Sequence, residues 1–571
     1  MSRDLEASYC ARLSGCDKNP HFHVRKRRKY EMKKRRLAAL VLAASTLLTL
    51  ALAGCQPDQP SGSSPQPGAE TGGSSGETSK DLVIGVVADV VSLDPAAKDS
   101  GTEMQIASHL YDPLVDYDAD LTKKPGLAES WEILDDGVTW EFKLRQGVKF
   151  SNGNDFTADD VVYSIERILN DPTLEMGVYL MRLQEVKKVD DYTVQLVTKV
   201  PYPVFSGSLT HIMMLDKETC EGLSNEEIAD NPVGTGRYRL VEHVKGSSIK
   251  LERNDEWWGD ELPEAETVEF RVIANDATRT TALLNGEVDF ISNIPVMDVD
   301  RISSSEGVQV ITSPSLSCNY LGFDLLNETG SDGTDDPNPL MIKEVRQAIY
   351  HAINIDEIID VVMNGYATVA NSYMPSICVG YNPDAERPAY DPDLAKELLA
   401  EAGYPDGFNL RIDGNSESDV NADQVIQAVA TYLERVGIKT EVNLIPRASF
   451  YEKTDPENLQ SSCYMAGWGD GSGEGMVIFN DMVYTYNGKE GLGEGNRGHY
   501  SNPEVDALLD QASVESDQAK RAELVSQVDD ITRDDAGYIP LFFKDNIFGV
   551  REGLEYTPRS DDHILAWDFK F

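Results

Sequence analysis

Strict alternation of apolar and polar side chains marks the strands of this chain. Residues 139–145 place Trp140, Phe142 and Leu144 on one face and charged or hydroxyl side chains on the other. Residues 267–273 repeat the pattern, with apolar side chains at every second position. A period of two is typical of a strand that is buried on one side, so both segments predict strands whose apolar face packs on a core.

Apolar residues three and four positions apart predict helices between these strands. Residues 157–169 start with a threonine and an aspartate spaced as a variant of the capping box and continue with an apolar stripe. Residues 393–402 and 424–436 are amphipathic, and a glycine follows each of them. The clearest helix is predicted over 341–358, where the apolar face carries Ile342, Val345, Ile349, Ala352 and Ile353. Strands that alternate with such helices favour an α/β fold.

The first 55 residues carry basic, apolar and small residues in that order. Residues 25–36 are mostly Lys and Arg, residues 37–53 form an apolar run, and Gly54 and Cys55 follow. This order predicts a signal peptide over residues 1–54. The sequence Leu-Ala-Gly-Cys at its end resembles the bacterial lipobox, in which the cysteine thiol receives a diacylglycerol. We therefore expect Cys55 to be lipidated and to become the N-terminus.

Two alternatives stay open for this N-terminal region. Met32 opens a conventional signal sequence by itself, in which case residues 1–31 are upstream sequence. The 17 residues of 37–53 are also at the short limit for a permanent membrane anchor. After Cys55, 15 of the 25 residues of 56–80 are Gly, Ser or Pro, a composition that predicts a flexible tether to a folded part beginning near residue 81.

The charge balance narrows the class of partner. The chain of 571 residues has 51 Lys and Arg against 97 Asp and Glu, a formal net charge of −46. Residues 1–54 hold 12 of the basic and 4 of the acidic residues, so the remainder carries −54. Nucleic-acid binding needs Lys and Arg at the phosphates, so no nucleic-acid partner is expected. The length predicts more than one lobe.

Cysteine and histidine give no pattern of a metal site. The six histidines after residue 55 are far apart in the sequence. We therefore predict neither a metal nor a cofactor. Whether any of the last four cysteines pair stays open. None of the seven cysteines forms a CxxC motif; they are Cys10, Cys16, Cys55, Cys220, Cys318, Cys378 and Cys463.

Several long segments resemble one family of proteins. They are 127–132 (LAESWE), 135–153 (DDGVTWEFKLRQGVKFSNG), 157–164 (TADDVVYS), 345–356 (VRQAIYHAINID) and 501–512 (SNPEVDALLDQA). Together they closely resemble the family 5 extracellular solute-binding proteins, which are the oligopeptide, dipeptide, glutathione and nickel receptors of ABC importers. The resemblance extends over about residues 81–571.

Two segments depart from the pattern of this family. Residues 231–238 (NPVGTGRY) resemble its NPVGTG-P-Y turn, but Arg237 replaces the usual proline. Residues 251–259 (LERNDEWWG) resemble its LxRN…YWG element, with Trp257 at the usual tyrosine position. The GTG of the first segment precedes a strand-like stretch and lacks the GK[ST] of a P-loop, so nucleotide binding is not expected.

The resemblance implies an α/β fold of two lobes, as in periplasmic binding proteins, with two crossing strands as a hinge. Residues 81–316 are expected to form the first lobe, with an extra subdomain at about 112–230. Residues 317–543 are expected to form the second lobe, and residues 544–571 return to the first. Ligand binding between the lobes would favour their closure.

The implied function is that of an extracellular lipoprotein that captures di- or oligopeptides for an ABC permease. The protein would be a monomer held by Cys55 at a Gram-positive-like cell surface, or in a periplasm. Glutathione, a nickel chelate and an oligosaccharide are alternative ligands of the same receptor class. A surface protein for signalling or adhesion also stays open.

The implied ligand contacts centre on residues 465–474 (MAGWGDGSGE). The GW-x-x-D motif of the family supplies a carboxylate for the amino group of a peptide. The spacing here is nearer to the GW…(S/T)GE form of glutathione receptors. We expect Trp468 to form a wall of the cleft and Asp470 or Glu474 to bind an ammonium group. Further candidates are Asn319 and Tyr320 near the crossing strand and Arg447 as a partner for a carboxylate.

An enzyme is the alternative of a different class. Asp470 and Glu474 could act as paired carboxylates, as in glycoside hydrolysis. The chain has no nucleophile elbow and no HExxH motif. We therefore expect it not to be an enzyme, and we assign no catalytic residue.

Overall fold

The computed structural model describes residues 80–330, 337–416, 421–489 and 491–571. The predicted signal peptide, Cys55 and the linker up to residue 79 lie outside the described residues. None of the described helices is long and apolar enough to cross a bilayer.

The strands of the described chain are numbered in chain order. They are β1 Asp81–Val86, β2 Val115–Tyr117, β3 Lys123–Pro125, β4 Ala128–Ile133, β5 Thr139–Leu144, β6 Leu183–Asp190, β7 Thr193–Thr198, β8 Tyr238–Val244, β9 Ser248–Arg253, β10 Thr267–Val272, β11 Phe290–Ile291, β12 Val308–Phe323, β13 Ala367–Val369, β14 Asn409–Asn415, β15 Lys439–Ile445, β16 Cys463–Trp468, β17 Tyr538–Arg551, β18 Glu555–Tyr556 and β19 Phe569–Lys570.

The α-helices are numbered in the same way. They are α1 Gly101–Leu110, α2 Ala158–Asn170, α3 Phe205–Ser208, α4 Lys217–Cys220, α5 Asn225–Asp230, α6 Asp276–Leu284, α7 Val299–Ser303, α8 Lys343–Ala352, α9 Ile355–Val362, α10 Pro392–Glu401, α11 Ala422–Arg435, α12 Arg447–Lys453, α13 Gly475–Met482, α14 Pro503–Val514 and α15 Gln518–Asp535. Short 3₁₀ turns span Glu175–Leu180, Leu209–His211, Val296–Asp298, Pro339–Met341 and Ala566–Asp568.

Two long strands, β12 and β17, run antiparallel through the middle of the largest sheet. The strand order is β15-β14-β16-β12-β17-β11-β1-β10-β9-β8, and β13 pairs with β17. β12 pairs with β16 through its C-terminal half, whereas β17 pairs with β11 through its own C-terminal half. Both strands therefore pass from one group of elements to the other. This arrangement confirms the predicted α/β fold with two lobes and two crossing strands.

The pairing of the crossing strands is interrupted near their middle. Pro314 pairs with Asp545, and the next paired position is Cys318 with Phe543. Four steps along β12 therefore oppose two steps along β17, which is an irregularity of the bulge type. A proline cannot donate a ladder hydrogen bond, so the strand pair is least continuous where it leaves one lobe for the other.

Separate hydrophobic cores lie on the two sides of these strands. We call the side with Ile84, Phe142 and Phe270 the first lobe, and the side with Ile349 and Val429 the second lobe; all five side chains are at most 1% exposed. Further apolar clusters extend each core. The exact lobe boundaries stay a prediction.

The segment 127–164 folds as a hairpin that leads into a helix. β4, β5, β7 and β6 form a four-stranded sheet, and Trp140, Phe142 and Leu144 are buried at its apolar face. Thr157 caps α2, because its backbone N–H donates to Asp160 Oδ2 at 2.8 Å and its hydroxyl accepts in return. The predicted alternation and capping box are both confirmed.

The helix predicted over 341–358 is two helices. α8 ends at Ala352 and α9 begins at Ile355, with Ile353 in an extended conformation between them. Asn354 accepts a hydrogen bond from the backbone N–H of Glu357 at 3.2 Å and so caps α9. The apolar periodicity runs across this junction, but a local asparagine cap starts a new helix there.

The four described cysteines are free thiols. Cys220, Cys318, Cys378 and Cys463 are all buried and none of them forms a disulfide. Burial raises the pKa of each thiol, so each stays protonated at neutral pH. The open question of disulfides among these four residues is thereby answered.

Candidate functional site

A cavity of about 270 Å³ lies between the first lobe and the loop that follows β16. A second cavity of about 850 Å³ adjoins it, and both are lined by Asp112, Arg237 and Trp567. The wall of the first cavity includes Tyr117, Tyr179, His211, Arg237 and Asp561 from the first-lobe side and Gly469 and Gly471 from the loop. The first lobe contributes side chains to this cleft and the loop contributes the backbone of its glycines; a cleft between two lobes is the place where closure can enclose a ligand.

The loop after β16 is held close to the crossing strand β12. Trp468 pairs with Cys318, and Gly467 pairs with Asn319. A Cβ added to Gly469 would lie only 3.0 Å from Ser317 Cα. A larger residue would have to displace the neighbouring backbone by a few tenths of an ångström, so glycine favours this close approach of the loop to the strand.

Asp470 is a carboxylate without a cationic partner at this loop. Ser472 donates to its Oδ1 from the backbone N–H, at 2.8 Å, and from the hydroxyl. In the described part of the chain, no Lys, Arg or His forms an ion pair with it. Burial raises the pKa of Asp470, and the nearby charge of Glu474 raises it further. A cation placed beside Asp470 would relieve both effects.

Glu474, by contrast, is already neutralised. It is 6% exposed, and Arg521 donates to both of its carboxylate oxygens at 3.3 Å. Lys123 Nζ of β3 lies 3.8 Å from Oε1 and reaches it from the first lobe. These contacts make Glu474 part of an ion pair across the two lobes.

The other candidate residues lie in different surroundings. Trp468 is half-buried against Tyr373, with ring centroids 6.4 Å apart. Asn319 of β12 is buried and pairs with Gly467 of β16. Tyr320 is 1% exposed in the aromatic core of the second lobe, and Arg447 is exposed at the start of α12. None of these four residues lines the cavity, and neither does Asp470 nor Glu474, although Gly469 and Gly471 on either side of Asp470 do. Ligand contact by these residues stays a prediction.

The middle of the chain, residues 122–490, matches the bacterial extracellular solute-binding proteins of family 5. This match covers more than half of the chain. The chain belongs to this family. As a family 5 solute-binding protein it acts outside the cytoplasm, binds a peptide or another small solute, and serves an ABC transporter.

Known proteins resemble this family 5 chain over most of its length. The glutathione-binding protein GsiB of Shigella flexneri serotype 5b (strain 8401) is 30% identical over 470 residues, which are 81% of this chain and 88% of that protein. HbpA2 from Haemophilus parasuis has a TM-score of 0.74 at 25% identity and covers 86% of this chain and 99% of its own. DppA from Helicobacter pylori, solved with the peptide STSA, has a TM-score of 0.71 at 26% identity over 86% of this chain and 97% of its own. GsiB is named as a glutathione-binding protein, and DppA as a periplasmic binding protein associated with an ABC transporter.

The sequence did not reveal the aromatic and charged residues that the first lobe contributes. Tyr179 stacks on His211 with a centroid distance of 4.1 Å and an interplanar angle of 7°. Burial lowers the pKa of His211 to about 4, so this imidazole is neutral at pH 7. Arg559 pairs with Asp561 at 2.6 Å. These residues belong to distant segments, and no local motif marks them.

Proposed function

We propose that this protein is a peptide receptor in which Asp470 binds the ammonium group of the ligand. The observation that carries the proposal is the state of Asp470: a carboxylate in the cleft region, with a raised pKa and no cationic partner among the described residues. A primary ammonium group supplies both the missing charge and hydrogen-bond donors. Peptides with a free N-terminus carry that group at a fixed end.

Glutathione is the second candidate ligand. The spacing of Trp468, Ser472 and Glu474 resembles the form found in glutathione receptors, and the relative named above is a glutathione-binding protein. Glutathione also has a free ammonium group, so the proposed role of Asp470 is the same for both ligands. We further propose that Cys55 carries a lipid anchor, that the protein is a monomer, and that it does not cleave its ligand.

The proposal can be tested on the full chain in mild detergent. Calorimetry measures ligand binding, and thermal unfolding measures the stabilisation by ligand. The probes are tri-alanine, N-acetylated tri-alanine, glutathione, a nickel–histidine complex and maltotriose. A bound probe at about 100 times its dissociation constant adds about 2.7 kcal/mol to the free energy of unfolding. We expect stabilisation by free tri-alanine or glutathione and a loss on acetylation. Mass spectrometry should recover the peptide uncleaved.

Asp470→Asn is the decisive variant. We expect it to weaken binding of the free peptide about 10-fold or more, since it removes a charge-assisted hydrogen bond from a water-poor site. Asp510→Asn is the matched control, because Asp510 is exposed on α14 and lies outside the loop whose Gly469 and Gly471 line the cavity. Equal binding by wild type and Asp470→Asn would reject the role of Asp470. Stabilisation by maltotriose alone would reject the peptide ligand.

A further inference from the structure

Arg237 lines both cavities. It follows a turn that packs closely against α1. A Cβ at Gly234 would lie 2.1 Å from the carbonyl oxygen of Leu110, and one at Gly236 would lie 2.4 Å from that of His109. Ser151 donates to the carbonyl of Gly234, and Gly236 donates to that of Leu110 at 3.0 Å. The backbone just before Arg237 is therefore fixed in place.

Two tryptophan rings cover the guanidinium group of Arg237. Its Cζ lies 4.1 Å from the ring centre of Trp257 and 4.2 Å from that of Trp567. The side chain of Arg237 is 14% exposed. Cation–π contact with two rings restrains the guanidinium group, and its N–H donors can still serve a planar acceptor.

The N–H donors of Arg237 have no hydrogen-bond acceptor in the described chain. Its ion pair there is with Asp112 Oδ1 at 3.9 Å, which is longer than a hydrogen bond. The other oxygen of Asp112 accepts from Thr235 at 2.9 Å and from Trp258 at 2.8 Å. One oxygen of the nearest carboxylate is thus engaged elsewhere, and the other lies beyond hydrogen-bond distance of Arg237.

Arg559, the second arginine at this cavity, is occupied in a different way. It donates to both oxygens of Asp561, with Nη2 at 2.6 Å, and to the backbone carbonyls of Tyr117 and Asp118. Arg559 therefore fixes the C-terminal segment of the chain, whereas Arg237 has donors available to a ligand.

The two residues at which the sequence departs from the family pattern are in contact here. Arg237 replaces the usual proline and Trp257 the usual tyrosine, and the two side chains stack on each other. We propose that Arg237, clamped by Trp257 and Trp567, is a subsite for a carboxylate of the bound solute. This inference rests on the proposed function, in which the solute is a peptide, and assigns its C-terminal carboxylate to Arg237.

The paired N–H donors of Arg237, rather than the net charge of the cavity, would select a carboxylate. Asp112, Asp116 and Asp561 also line the cavity and oppose the binding of any anion. A planar carboxylate can use two parallel N–H donors of a guanidinium edge at once. A structural alternative is that Arg237 serves only to neutralise the buried Asp112.

Paired ligands separate these two roles in calorimetry on the full chain. The probes are tri-alanine and its C-terminal amide, with succinate and succinamide as a pair without an ammonium group. In the wild type we expect the amide to bind about 10-fold more weakly than the acid, since one charge-assisted contact is lost. In Arg237→Gln we expect the acid to weaken to the level of the amide, and amidation to have no further effect.

The control variants keep the test interpretable. Arg239→Gln removes the same charge two residues later on β8, where Arg239 pairs with Glu256 at 3.5 Å and does not line either cavity. It should bind both peptides as the wild type does. Arg237→Lys keeps a positive charge beside Asp112, so it should fold and retain part of the preference for the acid, because lysine is a point charge without a planar fork.

Each outcome decides between the proposals. Equal losses of acid and amide in Arg237→Gln and in Arg237→Lys, or no loss of either, would overturn the carboxylate subsite. The wild type could fail to bind both peptides and still prefer succinate to succinamide. If that preference is lost in Arg237→Gln, the proposal of a peptide ligand is wrong and the carboxylate subsite stands. If no probe shows an Arg237-dependent preference for the carboxylate, the subsite is wrong.

Discussion

At the scale of single residues, burial without an ion pair in the described part of the chain distinguishes Asp470 and Asp481 from the other carboxylates near the site. Asp481 of α13 accepts a hydrogen bond from the backbone N–H of Gly495 at 3.0 Å. Burial, together with the charge of Asp470, raises the pKa of Asp481 to about 6. Asp481 is therefore mostly ionised at neutral pH, and its buried charge costs stability in the folded chain.

Replacing Asp481 with asparagine should stabilise the protein only at neutral pH. The folded pKa lies above the unfolded one, so the wild type loses stability as the pH rises from about 4 to about 6. Asp481→Asn removes this loss and can still accept from Gly495. We expect a gain on the order of 2 kcal/mol at pH 7.5 that vanishes below pH 4. Urea unfolding at both pH values measures it, and an equal difference at both would contradict it.

The sequence revealed part of the site because part of the site is local. Asp470 and Glu474 follow Trp468 on a single loop, so a motif was enough to indicate them. Arg521, the partner of Glu474, comes from α15. Trp567, whose ring contacts the guanidinium group of Arg237, is over three hundred residues later in the chain than Arg237. Sequence spacing carries no information on such pairs, because the fold alone brings them together.

At the scale of elements, local signals decided where helices begin and end. The capping box at Thr157 gave the start of α2 correctly, since both of its hydrogen bonds lie within four residues. The break between α8 and α9 was missed although Asn354 is a good cap. Apolar periodicity continues through this position, and it outweighed the cap in the sequence-based prediction.

The cap of α2 provides a test at this scale. Thr157→Ala removes the side-chain oxygen that accepts the N–H of Asp159. We expect a loss of about 1 kcal/mol in the free energy of unfolding, while Thr157→Ser, which keeps the oxygen, should change it by only a few tenths. Guanidinium unfolding followed by circular dichroism measures both variants. Equal stabilities of the alanine and serine variants would show that the cap contributes nothing.

At the scale of the whole molecule, two polar contacts join the first lobe to the loop after β16. Tyr117 donates from its hydroxyl to the backbone carbonyl of Ser472 at 3.1 Å, and Lys123 lies 3.8 Å from Glu474. Both contacts reach from the first lobe to the loop that carries Asp470. The resemblance to the family implied two lobes and a hinge, but it did not indicate these contacts, which join residues about 350 positions apart.

Removing these two contacts should shift the free protein towards an open arrangement. Tyr117→Phe combined with Lys123→Met deletes one hydrogen bond and one ion pair that join the lobes in this structure, about 1 kcal/mol in total. Small-angle scattering of the unliganded chain should then give a larger radius of gyration. Ligand should restore the wild-type value with an affinity lowered about five-fold, since binding must also close the lobes.

Tyr192→Phe, on the hairpin of the first lobe, is the control and should leave both the radius of gyration and the affinity unchanged. An unchanged radius and affinity in the double variant would mean that the crossing strands alone set the angle between the lobes.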